Sequence, residues 1–583
     1  MSDVRLTRYI IQSLKDENTS HIFMVPGGYV DNFSVDLVEV TGITAIVCAT
    51  EGGAAMMADG FARASGQFGV CLGISGPGAS NMITGLSVSS ADQVPVLVIT
   101  GDTPLGWRDR DAIQDSGTHG LKTIELFRHI ASVQHQIFDA SLAGNYLKRC
   151  MSKLKGSSPG VAHLSVPLDL QAKEIAYNYQ ASRANRLDIN RLIDRDSLDI
   201  ALELASSHRK TVLLIGSGIR KSKASAALLT FAERFDIPVA TTMCAKGDFP
   251  ENHPLSLGVF GWAGTAIANE TLMSDGVDCL IVVGSKLGQI ASMSWSERLH
   301  ANRKLIQIDL NSENLDKTYS ADIAVTSDAG AAFEYFCGLS NEAESVAKLL
   351  DSKLARKDWL ETLRATNTWH YESENQHTNL EPIHPARAIS DLFSSMPEDT
   401  QLFVDNGAHT FFASHYWQSA LANHYFNIIK YSGAMGWAIP ASIGAKFSRP
   451  DKTTVAVVGD GCMLMHGMEI QTAARYKLTK MIFIVLNNKA HGNPKLRSGG
   501  FSTAAAELTN IVDHNWAGFA ESLGVKGLSV DRPEALAATF ESALASDTTV
   551  LIDIKCGLYP TPTKVFDETF MKDFNQYLGS KEA

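Results

Sequence analysis

Three doubly wound, parallel-sheet α/β domains are predicted for this chain, and three observations carry the prediction. Short apolar, β-branched runs recur along the whole length and alternate with longer segments of helical periodicity. The runs at 43–48, 69–74, 94–100, 211–215, 279–283, 304–308, 454–458, 481–486 and 549–554 are apolar on both faces, as strands covered by helices on each side must be. At 583 residues the chain exceeds what one core fills, and polar stretches around 177–195 and 366–384 divide it into segments of ordinary domain size. The expected domains are 1–180, 190–345 and 365–583. No short-period repeat is present, although the first and third segments each place a Gly-rich turn after an early strand.

Composition narrows the class. With 45% hydrophobic and 20% charged residues, the chain has the balance of a globular protein. A net charge of −12 without any Lys/Arg block argues against a nucleic-acid partner. The opening residues lead into an amphipathic segment carrying Lys15, Asp16 and Glu17 instead of an apolar leader, and no stretch is long and apolar enough to span a bilayer. The eight cysteines are scattered without a C-x-x-C pair, which reads as reduced thiols packed as small hydrophobes. A cytoplasmic protein without membrane partners is therefore expected.

The clearest chemistry lies in the third segment. The strand 454–458 runs into Gly459-Asp460-Gly461-Cys462, read as a tight turn, then into a helix with Met468, Glu469 and Ala473, and the strand 481–486 runs into Asn487-Asn488. In a parallel sheet both turns fall at strand carboxyl ends, where ligands bind. A carboxylate and a side-chain amide meeting there offer hard oxygen ligands of the kind Mg²⁺ prefers, and the glycines let backbone N–H groups approach phosphates. Either turn alone is commonplace; two of them about one βα unit apart are not.

This arrangement resembles the thiamin-diphosphate motif of the acetolactate synthase, pyruvate oxidase and 2-oxo acid decarboxylase superfamily, with benzaldehyde lyase-like relatives. Counting from Asp460 points to Asn487 as the metal-binding amide. Alignment through Asn488-Lys489-Ala490-His491-Gly492 places Gly492 on the family's glycine and selects Asn488, with the carbonyl of Ala490 as third protein ligand; Asn487 is the second choice. Upstream, Asp405-Asn406-Gly407-Ala408-His409 resembles the family's other diphosphate-binding turn. Ser432-Gly433-Ala434-Met435-Gly436 resembles the turn whose methionine wedges between the two cofactor rings, a role that falls to Met435.

In the first segment, Glu51 could be a plain acid at a helix N-terminus. The run from Glu51 through Gly60-Phe61-Ala62-Arg63 nonetheless resembles the superfamily's catalytic-glutamate helix, in which the carboxyl group exchanges a proton with the aminopyrimidine and works best desolvated. Ser75-Gly76-Pro77-Gly78-Ala79-Ser80-Asn81 matches a second family run, implying that Gly76, Pro77 and Asn81 border the cofactor. Gln114, in Ile113-Gln114-Asp115, stands where a glutamine reaches the active site. Pro26-Gly27-Gly28-Tyr29 resembles the loop over the reacting centre, and Tyr29 either contacts substrate or narrows the pocket. The resemblance implies a homodimer or homotetramer, with cofactor held between subunits.

The middle segment reads as a further doubly wound, nucleotide-binding-like domain. Some relatives bind FAD there, others another adenine nucleotide or nothing. His253–Gly258 and Phe260–Thr265 resemble the flavin side. The run Gly284-Ser285-Lys286-Leu287-Gly288 replaces an arginine-and-acid signature and weakens the flavin case, and Asp309 is either a ribose ligand or a turn former. The implied reaction is decarboxylation of a pyruvate-like 2-oxo acid with ligation to a second carbonyl compound. The alternatives are a C–C lyase or hydrolase, a flavin-linked oxidase, or a non-catalytic cofactor-binding relative. His491 is the expected pocket histidine. Arg497 stands where acetolactate synthase carries its acceptor-selecting tryptophan, and it either meets an anion or lies on the surface. His119, His409 and His466 are lesser acid–base candidates.

Overall fold

A computed structural model describes residues 3–181, 191–500 and 502–562. Residues 182–190 of the first polar stretch lie outside them. Three six-stranded sheets, each wholly parallel and flanked by helices, follow one another along the chain. The first has the order Thr44–Val47, His21–Met24, Gly69–Ile74, Val96–Asp102, Val161–Pro167, Ala131–Gln136. The third runs Tyr425–Phe426, Gln401–Val404, Thr454–Gly459, Met481–Asn487, Val550–Lys555, Lys526–Val530. Numbered within each sheet, both read 2-1-3-4-6-5. The middle sheet reads 3-2-1-4-5-6, from Ser256–Phe260 at one edge to Ile323–Thr326 at the other. In each sheet the order reverses beside the first strand, and the crevice past the strand ends at that point is where open α/β sheets take ligands. All eight cysteines are free, and among the described residues no helix is long and apolar enough to cross a membrane.

The middle sheet has a core of its own, whereas the first and third units share one that runs from Phe23 and Phe61 through Trp437 and Ile443 to Phe483. Its centre is the crossing of the Glu51–Ser65 and Ala438–Ser448 helices. Backbones meet there because the contact residues lack side chains. A Cβ on Gly60 would stand 1.9 Å from the carbonyl oxygen of Ala441, and one on Gly444 would stand 1.9 Å from that of Met57. Burial on all sides explains why neither helix shows a clean polar face. A polar network closes the crossing. Buried Asp59 accepts from Trp437 Nε1 at 2.8 Å, Arg63 Nε at 2.7 Å and Ser89 Oγ at 2.9 Å, while Arg63 also reaches Asp92 at 2.9 Å.

The passage after the third strand of the last sheet differs from the sequence expectation. No separate turn intervenes: Gly459 ends the strand and Asp460 is the first residue of the Asp460–His466 helix. The single helix expected to carry Met468, Glu469 and Ala473 is also divided: Met468 and Glu469 lie in a 3₁₀ turn, Gly467–Glu469, and Ala473 in the helix Ile470–Arg475. Gly60→Leu is expected to lower unfolding free energy by about 2–3 kcal/mol, because backbone and not a flexible side chain blocks the new group. Urea denaturation of the variant beside an exposed control, Gly499→Ala, measures it.

Candidate active site

Asp405 organises the third sheet's half of the site. Its buried carboxylate accepts backbone N–H bonds from Asn406 at 2.7 Å, Gly436 at 2.9 Å and Ala438 at 2.9 Å. Ala438 opens its helix, so Asp405 satisfies one of that helix's orphan donors from across the sheet. The same bonds fix the turn before it, where Gly433 and Gly436 take φ of 57° and 84°, and Asn406 Nδ2 donates to the Gly433 carbonyl at 2.6 Å. Burial raises the Asp405 carboxyl to about 6 against these donors. The outcome is that Met435 is held over the Asp460 helix, its Cε 2.7 Å from where a Cβ on Gly461 would be.

Beneath Met435 lies a cavity of about 80 Å³, bordered by Asn406, His409, Met435, Asp460, Asn488 and Ala490. Gly407, Ala408, Gly461, Cys462, His491 and Gly492 complete its wall, so each third-segment residue assigned to cofactor or metal borders it except Gly433 and Asn487. Gly433 sits behind, shaping the Met435 turn. Asn487 ends its strand with the amide turned to Asp553 Oδ1 on the adjacent strand, at 2.9 Å. Asp460 Oδ2 accepts from the Ala490 N–H at 3.2 Å, and Asn488 Oδ1 accepts from the same N–H at 3.1 Å. Asp460 Oδ1 is buried with no partner, and burial raises the carboxyl to about 6. An orphaned carboxylate oxygen beside an amide oxygen is the donor chemistry that suits Mg²⁺, so these residues could hold it.

The first sheet supplies a second group. Thr50 Oγ1 accepts the Gly53 N–H at 2.9 Å and caps the helix that Glu51 begins. Asn81 Nδ2 donates to Glu51 Oε2 at 3.0 Å, and the missing side chains of Gly73 and Gly78 leave room for the carboxylate. Gly76, at φ 69°, precedes Pro77, the first residue of the Pro77–Asn81 helix. Gln114 packs its side chain on Gly76; its own backbone is left-handed at φ 55°, and its carbonyl is held by Ser75 Oγ at 3.2 Å and Thr103 Oγ1 at 2.9 Å. Tyr29 donates its hydroxyl to the Ile113 carbonyl at 2.6 Å, tying the Gly27-Gly28 loop to the Gln114 loop.

Glu469, which no sequence motif marks, joins the two units. Fully buried, it accepts from the N–H of Ala49 at 3.0 Å, the N–H of Thr50 at 2.9 Å and Thr50 Oγ1 at 2.9 Å. A Cβ on Gly53 would stand 1.9 Å from it, so the paired glycines after Glu51 are the visible trace of this contact. His466 stands between the units, its ring beside Gly52 and Gly436, and burial lowers its pKa. His409 is lowered to about 4 by burial, so it is neutral at pH 7 and suits hydrogen bonding, not proton carriage. His119 is exposed and Arg497 half-buried; neither borders the Asp460 cavity. At the middle sheet's switch point lies a cavity of about 850 Å³, bordered by Gly216, Gly218, Gly284, Lys286 and Asp309. Asp309 accepts from the Asn311 N–H and Asn314 Nδ2, both at 2.9 Å, as a turn former does.

The two like-ordered sheets thus each open a crevice at their strand carboxyl ends, one beside the Glu51 carboxylate and one walled by Asp460, Asn488 and Gly-rich turns. Family models agree along the chain: a thiamine pyrophosphate enzyme N-terminal TPP binding domain matches residues 4–121, a central domain 198–336, and a C-terminal TPP binding domain 405–554. The protein belongs to the thiamin-diphosphate-dependent superfamily of acetolactate synthase and pyruvate oxidase. It is 29% identical over 563 residues to a probable acetolactate synthase large subunit of Methanocaldococcus jannaschii, covering 94% of this chain and 90% of that one. It is 28% identical over 546 residues to acetolactate synthase isozyme 3 large subunit of Escherichia coli, covering 92% and 91%. It is 26% identical over 611 residues to sulfoacetaldehyde acetyltransferase of Castellaniella defragrans, covering 97% of each.

Asp405→Ala leaves the N–H groups of Gly436 and Ala438 buried without partners. The expected loss is about 2–4 kcal/mol of stability, read as a drop in thermal midpoint, with local amide exchange accelerated over 432–438.

Proposed function

We propose that this protein is a carboligase that decarboxylates a pyruvate-like 2-oxo acid and joins the remaining fragment to a second carbonyl compound. The observation that carries the reading is the orphaned Oδ1 of Asp460, sharing one cavity with Asn488 and Met435. In this reading Asp460, Asn488 and the carbonyl of Ala490 hold Mg²⁺, and the N–H groups at Gly407–Ala408 and Gly461–Cys462 face the diphosphate. Thiamin diphosphate supplies the electron sink that decarboxylation requires.

The chain's own groups do the rest. Glu51 holds and returns a proton at its carboxylate, with Asn81 fixing Oε2 so that Oε1 stays on the Gly78 side. Met435 sets the conformation of the bound ring system from its rigid turn. Gln114 and Tyr29 line the reacting side, and His491 borders the metal cavity as a polar contact. An intact Glu51 group favours an enzyme over a binding-only relative, which has no chemical need for it. A second copy supplying the facing half-site completes the proposal. Exposed Leu464 and Met465 on the Asp460–His466 helix, and Met468 in the turn that follows, suit burial against it.

Glu51→Gln should abolish turnover while thiamin diphosphate still binds, as measured by calorimetry. Mass spectrometry of products from pyruvate and a panel of acceptor aldehydes and oxo acids should show a new C–C bond in the parent protein alone. No CO₂ release and no coupling product from a cofactor-loaded protein would overturn the reading. A pH dependence follows from Asp460. Its carboxyl, raised to about 6 in the free protein, must lose its proton to bind the ion, so affinity is full above that pH and falls below it. Titration of Mg²⁺ should show proton uptake by the site on release of the ion, and roughly tenfold weaker binding per pH unit under pH 6.

A further inference from the structure

Beside the Glu51 group, the first sheet's carboxyl edge carries another hollow. It is an open cavity of about 690 Å³, bordered by Gly28 and Tyr29 on one side and by Trp107, Arg110, Ile113 and Gln114 on the other. Trp107 and Ile113 are 55% and 83% exposed, unusual for large apolar side chains on a short loop. Arg110 is the one ionisable cation on this wall, and no carboxylate borders it. Arg108, two residues earlier, turns inward to buried Asp102 at 3.4 Å. Arg110 makes a long 3.4 Å bond to the Gly106 carbonyl and, among the described residues, has no carboxylate within ion-pairing distance.

The acids of the same loop are engaged elsewhere. Asp109 accepts the His119 N–H at 2.7 Å and Asp115 accepts the Gly117 N–H at 2.8 Å, while Asp111 is exposed and off the cavity wall. Nor is the loop a slack surface excursion. Asp109, Asp111 and Gln114 are held at φ of 57°, 57° and 55°, and the Tyr29 hydroxyl and the Ser75 and Thr103 hydroxyls fasten its far end. An exposed guanidinium without a carboxylate partner among the described residues, on a fastened loop beside an apolar wall that opens toward Tyr29 and Gln114, suits a small molecule with an oxyanion at one end.

We propose that Arg110 is a specificity-determining residue: it reads the carboxylate or sulfonate of an anionic substrate whose apolar body rests on Trp107. This rests on the reading of Tyr29 and Gln114 as the reacting side. The test compares pyruvate with methyl pyruvate, its uncharged ester, on full-length protein loaded with thiamin diphosphate and Mg²⁺, by saturation-transfer NMR with the turnover-blocked Glu51→Gln background. Pyruvate should bind more tightly than the ester, and Arg110→Gln should weaken pyruvate roughly tenfold while leaving the ester within twofold. Arg110→Lys should recover part of the difference. Equal loss of both probes, or unchanged discrimination in Arg110→Gln, would overturn the assignment. Isethionate as competitor separates sulfonate from carboxylate recognition by which of the two displaces the other. Thiamin diphosphate affinity, measured on the same samples, judges the cofactor reading independently.

Discussion

The close crossing of the Glu51–Ser65 and Ala438–Ser448 helices is the constraint on which the site depends. Glu51 begins the first helix, and the Met435 turn leads directly into the second. Because Gly60 and Gly444 let the backbones touch, main-chain contact sets how the Glu51 end of the first unit and the Met435 turn of the third sit relative to each other within one chain. The Asp59–Arg63–Trp437 network then fixes the rotation of one helix about the other.

Around that crossing, buried carboxylates act as fasteners. Asp405 ties a strand end to a helix start, Glu469 ties the last unit to the start of the Glu51 helix, and Asp59 ties the two helices together. Each is surrounded by N–H or O–H donors aimed at it, which offsets the cost of burying it. Asp460 is the exception, with one oxygen satisfied and one bare. Its bare Oδ1 borders the same cavity as Asn488, where a cation could be held.

Much of this was legible in the sequence. Strands buried on both faces announce themselves as unbroken apolar runs, and the runs at 211–215 and 279–283 coincide with observed strands. The like layouts of the first and third segments were visible in their Gly-rich turns. Less legible were choices that only three dimensions settle. Asn487 and Asn488 are identical in type, and strand alternation sends the first to Asp553 and the second to the cavity. Asp405 was legible only as part of a diphosphate-type turn and Glu469 only as a helical acid, since nothing local marks a carboxylate whose donors come from residues distant in the chain. Asp460 opens its helix directly, because Gly459 stays extended to the end of the strand and no separate turn is inserted.

The shared 2-1-3-4-6-5 strand order of the outer sheets has a consequence of its own. In both, the helix at the crossing follows the second strand, so the two helices that meet are counterparts, and each meets its own analogue. That is the arrangement a duplicated and fused unit produces when an ancestral self-contact is retained inside one polypeptide. Each outer unit therefore presents to the other the same element from the same place in its strand order, and the contact between them is pseudo-symmetric.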